Sequence, residues 1–151
     1  MDRVAIDDPR LQAIAAEEIR ARLVGLPEEV VAPLVAAQLA AKFSSLIARH
    51  PDAAADLIVG RGYRIVARGR AEIRLCDIAV ASAERGRGFG SLLLRDLLEE
   101  ADAAGAAVVL SVWHDVPARA WYERHGFAAV GGNAQTYVEM RREYRSIHSV
   151  A

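Results

Sequence analysis

The sequence predicts an α/β fold of the α+β mixed-sheet kind, in which helices flank a mixed β-sheet. Apolar residues recur at helical spacing through the first third of the chain, and short β-rich runs separated by glycine turns follow. Helical and apolar strand-like segments then alternate. With 151 residues, 53% of them hydrophobic, the chain can bury one full core, so we predict a single domain over residues 1–151.

The first third is predicted to be a pair of helices. Asp8 and Pro9 form a typical helix start, and the second helix runs from about Pro27 to Arg49, before a His-Pro-Asp break. Residues 1–6 offer at most a short stub, so we expect the first strand to be missing or very short. A sheet edge left open in this way is one that a partner subunit of a homodimer could cover.

The rest of the chain is predicted to form the sheet and two further helices. The runs ADLIV, YRIVAR and EIRLCDIAV, joined by GRG and GRA turns, indicate an antiparallel meander. Residues 91–104 have helical spacing, residues 106–113 are apolar on both faces as in a central strand, and a short helix covers about 117–125. The runs AAVGG and QTYVEMR predict a closing C-terminal hairpin.

The segment AERGRGFGSLLL, residues 83–94, places three glycines and two arginines at the start of a leucine-rich helix. A glycine inside an element costs about 1 kcal/mol relative to alanine, so this density indicates that something approaches the backbone closely. A strand, a glycine turn and a helix start together expose N–H groups at the positive end of a helix dipole, which suits a pyrophosphate. A tight turn with solvated arginines is the simpler alternative.

Two known phosphate-binding loops compete for this segment. The P-loop is excluded because Gly90-Ser91-Leu92 supplies no Lys-Ser or Lys-Thr pair. A Rossmann-type loop stays an alternative, since three glycines follow a strand and Asp115 ends the next one. Its third glycine falls one position early, however, and the chain lacks further strand-helix units.

Two motifs together carry a resemblance to a known family. Residues 85–90, RGRGFG, have the pattern Arg-x-x-Gly-x-Gly, and residues 118–127 read ARAWYERHGF. With a strand between them, they resemble the GNAT superfamily of coenzyme A-dependent N-acetyltransferases over roughly residues 57–140. The resemblance implies a GNAT-like acyltransferase fold, with a helical acceptor-side region at 1–54 and a CoA-binding core at 55–142.

The resemblance also implies acetyl-CoA as cosubstrate. The CoA pyrophosphate would bind the amides of the glycine turn, and the pantetheine arm would pair with the backbone of the strand before it, which in the family splays at a bulge. The residues it assigns to the cofactor are Ile78, Ala79, Val80, Arg85, Gly86, Arg87, Gly88, Phe89, Gly90, Ser91, Asp115, Ala118 and Tyr122.

For catalysis, the resemblance matches Tyr122 to the family's general acid, since a phenol is protonated near neutral pH and can donate to the leaving thiolate. A packing role is the alternative. Glu72, Asp77 or water would serve as base; the two acids have opposite parity, so a regular strand sends them to opposite faces unless a bulge intervenes. Many relatives have asparagine where this chain has Asp115, which cannot donate a hydrogen bond when ionised.

These implications predict an N-acyltransferase that transfers acetyl from acetyl-CoA to a primary amine, by direct attack in a ternary complex. The amine would belong to a small molecule, a peptide or a protein, and the helices of residues 9–49 would select it. A non-catalytic acyl-CoA-binding or partner-binding module on the same fold is the alternative.

Composition predicts which partners are absent. The net charge is −1 and the arginines are scattered, so we expect no nucleic-acid partner. No uninterrupted apolar run approaches the roughly 18 residues of a membrane span, which predicts a cytoplasmic protein without membrane contact. Cys76 is the single cysteine and the four histidines lack ligand spacing, so we expect a buried inert thiol and no metal.

Overall fold

The computed structural model describes residues 1–113, 117–132 and 136–146. Within these ranges it contains seven strands and four α-helices, which confirms the predicted mixed α/β fold. Their bounds, in chain order, are β1 Asp2–Val4, α1 Pro9–Ala21, α2 Glu28–Arg49, β2 Ala54–Ile58, β3 Gly62–Arg68, β4 Glu72–Val80, α3 Phe89–Ala104, β5 Ala107–Trp113, α4 Pro117–Arg124, β6 Ala128–Gly132 and β7 Tyr137–Arg142.

The strands form one mixed sheet in the order β1-β2-β3-β4-β5-β7-β6. β1, β2 and β3 are antiparallel, β4 and β5 are parallel, and β7 runs antiparallel to both β5 and β6. The first strand is very short, as expected, yet its three residues pair with Ala55 to Leu57 of β2. The edge that we expected to be open for a partner subunit is therefore covered along this stretch by the chain itself.

The helix starts follow local rules. The Asp8 carboxylate accepts a hydrogen bond of 2.9 Å from the Arg10 amide, so α1 has the predicted cap. Pro27 precedes α2 in an extended conformation, as a residue before a helix should. α3 begins at Phe89, two residues before the predicted Ser91, because the Leu92 amide already bonds to the Gly88 carbonyl at 3.1 Å.

The chain divides into two compact units. The first unit comprises residues 1–66 and 77–93, and the second comprises residues 67–76 and those from Leu94 onward. Both β4 and α3 contribute residues to each unit, and a single domain stays a prediction. Fully buried side chains of the first unit include Leu11, Leu57, Tyr63, Ile65, Val66 and Leu93, and those of the second include Leu94, Leu97, Val108, Leu110 and Met140.

α2 corrects the expectation that no segment of the chain is long and apolar enough to span a membrane. The helix has 22 residues, and its most apolar 18-residue stretch has a mean hydropathy of 1.6, so by length and composition alone it could cross a membrane. The core helices of soluble proteins pass the same test, which makes this weak evidence. Val35 and Phe43 are buried, whereas Leu34 and Ile47 are 36% and 46% exposed. The absence of membrane contact stays a prediction.

Cys76 is half-buried rather than buried as expected, and its thiol lies 3.8 Å from the Arg74 carbonyl oxygen. Among the described residues, no group of three or more histidine, cysteine, aspartate or glutamate side chains could hold a metal ion. That observation leaves the absence of a metal a prediction.

Gly62 of β3 packs closely against β4 and against the first residue of α3. A Cβ added there would lie 2.9 Å from both the Ala79 carbonyl oxygen and the Phe89 ring. We predict that Gly62→Ala lowers the free energy of unfolding by about 1–3 kcal/mol, the usual cost of overpacking. Urea denaturation followed by circular dichroism measures it. Gly131→Ala is the matched control, because an added Cβ there meets nothing within 4 Å; equal losses in both variants would contradict the prediction.

Candidate active site

The parallel pairing of β4 with β5 covers only the first part of β4. β4 pairs with β5 over three residues, Glu72 to Arg74, although β4 continues to Val80. The register therefore ends before Ile78 and Val80, the positions whose backbone the family resemblance assigns to pantetheine. Both side chains are half-buried, while Ala79 between them is buried.

Two glycines set the shape of the turn between β4 and α3. After a short 3₁₀ turn at Ser82–Glu84, Gly86 and Gly88 adopt φ values of 74° and 79°, in the left-handed region that side chains disfavour. A Cβ at either position would meet nothing within 4 Å. Packing inside the protein therefore does not require a glycine here; the backbone conformation does, and the space beside it is open to a ligand.

The start of α3 presents backbone donors at this turn. The first helical bond runs from the Leu92 amide, so the amides of Phe89 and Gly90 precede the intrahelical ladder, as at any helix start. They lie at the positive end of the helix dipole. Arg85 and Arg87 are exposed beside them. Within the described residues, neither arginine forms a salt bridge, and the arrangement favours an anion.

Arg61 holds the turn in place, and sequence reasoning missed it. Its carbonyl accepts a 2.8 Å hydrogen bond from the Ala81 amide, and its guanidinium donates to both carboxylate oxygens of Glu84 at 3.1 and 3.3 Å. The same guanidinium lies 4.2 Å from the centre of the buried Phe89 ring. One side chain thus contacts the residues that precede and follow the two glycines.

Glu17 of α1 secures the other side of the turn. Its carboxylate accepts a 2.7 Å hydrogen bond from the Ser82 amide. Hydrogen bonding with Ser82 lowers the pKa of Glu17 from its ordinary value, and the charge of Arg85 acts in the same direction. The first helix is therefore tied to the residue that opens the turn.

Asp77, one of the two candidate bases, is held by two side chains. The hydroxyl of Tyr63 donates to Oδ2 at 2.7 Å, and the Lys42 ammonium lies 3.1 Å from the same oxygen. Burial, together with the Asp77 charge, raises the pKa of the Tyr63 phenol far above its ordinary value, so Tyr63 stays a donor. Neither Lys42 nor Tyr63 carried a sequence signal.

Glu72, the other candidate base, lies in a different setting. It is exposed at the start of β4, and its carboxylate accepts a 3.0 Å hydrogen bond from Arg141 of β7. Arg141 also pairs with Glu143. The two candidate bases thus have different partners.

Tyr122 lies in the second unit, on α4. It is only 8% exposed, with its ring 4.9 Å from that of Trp121 and 5.6 Å from that of Phe127. Ala118, one turn earlier, is half-buried. Asp115, which the resemblance also assigned to the cofactor, lies outside the described residues. The first unit thus groups the glycine turn with Asp77 and residues 78–80, and the second contains Glu72, Ala118 and Tyr122.

Solved structures share this fold. The PaiA N-acetyltransferase from Thermoplasma acidophilum, in complex with coenzyme A, is 15% identical with a TM-score of 0.65, covering 95% of this chain and 100% of that one. The ribosomal-protein-S18-alanine N-acetyltransferase from Escherichia coli is 17% identical, with a TM-score of 0.60 and coverage of 99% and 98%. A GNAT family acetyltransferase from Elizabethkingia anophelis, with acetyl-CoA bound, is 15% identical, with a TM-score of 0.53 and coverage of 66% and 82%.

The comparison with curated proteins gave no match. The family model described as "Acetyltransferase (GNAT) domain" matches residues 44–129, which is more than half of the chain. That range contains β2, β3, all of β4, the glycine turn, α3, β5 and α4, so it includes both motifs on which the resemblance depended. The chain belongs to the GNAT acetyltransferase family.

Proposed function

We propose that this acetyltransferase is an N-acyltransferase that moves acetyl from acetyl-CoA to a primary amine by direct attack in a ternary complex. The observation that carries the proposal is the turn before α3, where two left-handed glycines leave open space beside the first amides of a helix. From the sequence we carry forward a cytoplasmic location. The acceptor is an amine of a small molecule, a peptide or a protein.

The glycine turn holds the CoA pyrophosphate in this proposal. Backbone amides from Gly86 to Gly90 donate to the phosphate oxygens, and Arg85 and Arg87 contribute charge. Open space at the Cβ positions of Gly86 and Gly88 fits a group that must approach the backbone closely. The backbone of Ile78 and Val80, beyond the registered pairing with β5, receives the pantetheine amides.

Tyr122 acts as the general acid in this proposal. The amine nitrogen bonds to the thioester carbonyl carbon and loses a proton to the base, the carbon–sulfur bond breaks, and the Tyr122 phenol protonates the departing thiolate. Packing against Trp121 and Phe127 fixes the ring and so orients the hydroxyl. The same packing favours a second candidate function, a non-catalytic acyl-CoA-binding module in which Tyr122 only fills space.

Asp77 is the stronger candidate for the base. Tyr63 and Lys42 fix its carboxylate through one oxygen, and it lies on the same half of β4 as the proposed pantetheine-binding residues. Glu72 is instead exposed and paired with Arg141 at the start of the strand. Water in place of a protein base stays the alternative.

We predict that CoA raises the melting temperature of the wild-type protein and that NAD does not, because only CoA fits the turn and the adjacent strand. Gly88→Val should abolish this shift, since a branched side chain occupies the space that the pyrophosphate needs. Thermal unfolding at millimolar ligand measures it.

Gly60→Val is the matched control for this experiment. Gly60 has a φ of 74° and open space at its Cβ position, like Gly88, but lies in the β2–β3 turn. Both variants should lose similar stability without ligand, and only Gly60→Val should keep the CoA shift. An unchanged CoA shift in Gly88→Val would show that the glycines serve the turn alone.

A separate prediction concerns Tyr122→Phe. The ring packing persists in this variant, so acetyl-CoA affinity should stay near the wild-type value while kcat falls by about 10²-fold or more, the usual contribution of a positioned acid. Release of free thiol with an amine acceptor found in a panel of amines and peptides measures kcat. Equal kcat in both proteins would assign Tyr122 to packing, and CoA binding without turnover on any acceptor would favour the binding module.

Substitution of each acid separates the two candidate bases. Asp77→Asn removes the proton acceptor but can still accept from Tyr63, so it should fold and lower kcat by about 10²-fold or more. Glu72→Gln should keep a kcat near the wild-type value. It should also fold normally, because an exposed ion pair contributes about 0–1 kcal/mol to stability. Steady-state kinetics from pH 5 to 9 measures both variants. The reverse ranking would assign the base to Glu72, and two near-wild-type variants would favour water.

A further inference from the structure

A cavity of about 260 Å³ lies in the second unit, and none of its lining residues belongs to the glycine turn or to the candidate catalytic residues. The outward side of α3, the end of α4 and the end of β7 with the residues after it supply its walls. Sites for drug-sized ligands span about 300–1,000 Å³, so this cavity suits a smaller molecule. Its charged lining residues are Arg95, Glu99, Asp102, Arg124, Arg142 and Arg145.

The lining carries a surplus of positive charge. Four guanidinium groups face two carboxylates, which leaves two positive charges in a chain whose overall net charge is −1. The surplus is therefore local. Within the described ranges, no ion pair engages the side chains of Arg95, Arg124 or Arg145.

Asp102 is already fully engaged. Its two oxygens accept hydrogen bonds of 2.9 and 3.1 Å from the Arg142 guanidinium, and one of them also accepts from the Arg145 amide at 2.8 Å. The hydrogen bonds from Arg142 lower the pKa of Asp102 against the opposing effect of burial, so the carboxylate stays ionised. It forms an ion pair with Arg142, and the charge of Arg145 also lowers its pKa.

The Nε atom of Arg142 lacks a hydrogen-bond acceptor within the described part of the chain. The Arg142 side chain is 6% exposed, and its buried Nε has no hydrogen-bond partner among the described atoms. A Cβ built on Gly126 would lie 3.6 Å from this Nε and 2.9 Å from Nη2 of Arg145. Two guanidinium groups thus lie within 4 Å of one point, an arrangement that an added anion stabilises.

We propose that this cavity binds a phosphate group in its dianionic form, held by the side chains of Arg124 and Arg145 above the buried Arg142. Guanidinium groups donate paired N–H bonds that match phosphate oxygens, and two charges balance the local surplus. The shared chemistry is a phosphate dianion, supplied either as free inorganic phosphate or as a small phosphate monoester. The proposal does not depend on the proposed function.

The test is isothermal titration of the full chain with inorganic phosphate and, separately, with methyl phosphate, at constant ionic strength set by sodium chloride. We expect saturable binding of one equivalent, weakened at least tenfold by Arg124→Gln combined with Arg145→Gln. Arg70→Gln is the matched control, because Arg70 is exposed in the same unit but outside the cavity. Tighter binding of methyl phosphate than of phosphate would identify a monoester as the ligand, and the reverse would identify the free ion.

The glycine turn is the competing anion site, so Gly88→Val is titrated in parallel and should bind phosphate like wild type. Phosphate binding lost in Gly88→Val but kept in the double arginine variant would overturn the proposal. So would equal weakening in Arg70→Gln, which would indicate general charge screening. Loss of stability in Arg124→Gln with unchanged phosphate affinity would assign that arginine to the C-terminus of α4 instead.

Discussion

The burial of Phe89 against Gly62 is the constraint on which the glycine turn depends. The ring is 3% exposed and occupies the space that a side chain at position 62 would need, with the Arg61 guanidinium over its face. Because this ring fixes the first residue of α3, the chain between β4 and α3 has few residues in which to reverse. Left-handed conformations at Gly86 and Gly88 make that reversal. Exposed helix-start amides are thus a consequence of a hydrophobic anchor.

The acidic side chains beside the glycine turn are paired, whereas its arginines are exposed. Two carboxylates lie beside it, and each is engaged: Glu84 accepts from Arg61, and Glu17 accepts from the Ser82 amide. Exposed ion pairs contribute about 0–1 kcal/mol to stability, so the Arg61–Glu84 pair acts mainly through position. With these acids committed, the amides and the side chains of Arg85 and Arg87 give the turn its positive character.

Periodicity predicted the helices and strands to within a few residues, and the motif pair at 85–90 and 118–127 predicted the family. The start of α3 was missed by two residues because Phe89-Gly90 reads as part of a turn until the burial of Phe89 is known. The partners of Asp77 and Glu84 were also missed, since Tyr63 and Arg61 lie 14 and 23 residues away from them. Such contacts depend on strand register, which apolar periodicity does not fix. Leu34 and Ile47 have helical spacing yet are exposed, because spacing defines a helix face without saying that anything covers it.

The two anion-favouring regions of the molecule rest on different physics. At the glycine turn the donors are backbone amides, whose dipoles are fixed by the fold. Among substitutions, only proline removes such a donor, and a larger side chain blocks a ligand by filling the space above it. In the second unit the attraction comes from guanidinium side chains around Asp102, so single substitutions remove it and salt screens its exposed members. A site built from backbone tolerates change in the surrounding sequence, whereas a site built from side chains changes with each residue. The proposed pyrophosphate site therefore depends on the backbone of the glycine turn, whereas the proposed phosphate site depends on this chain's own arginine side chains.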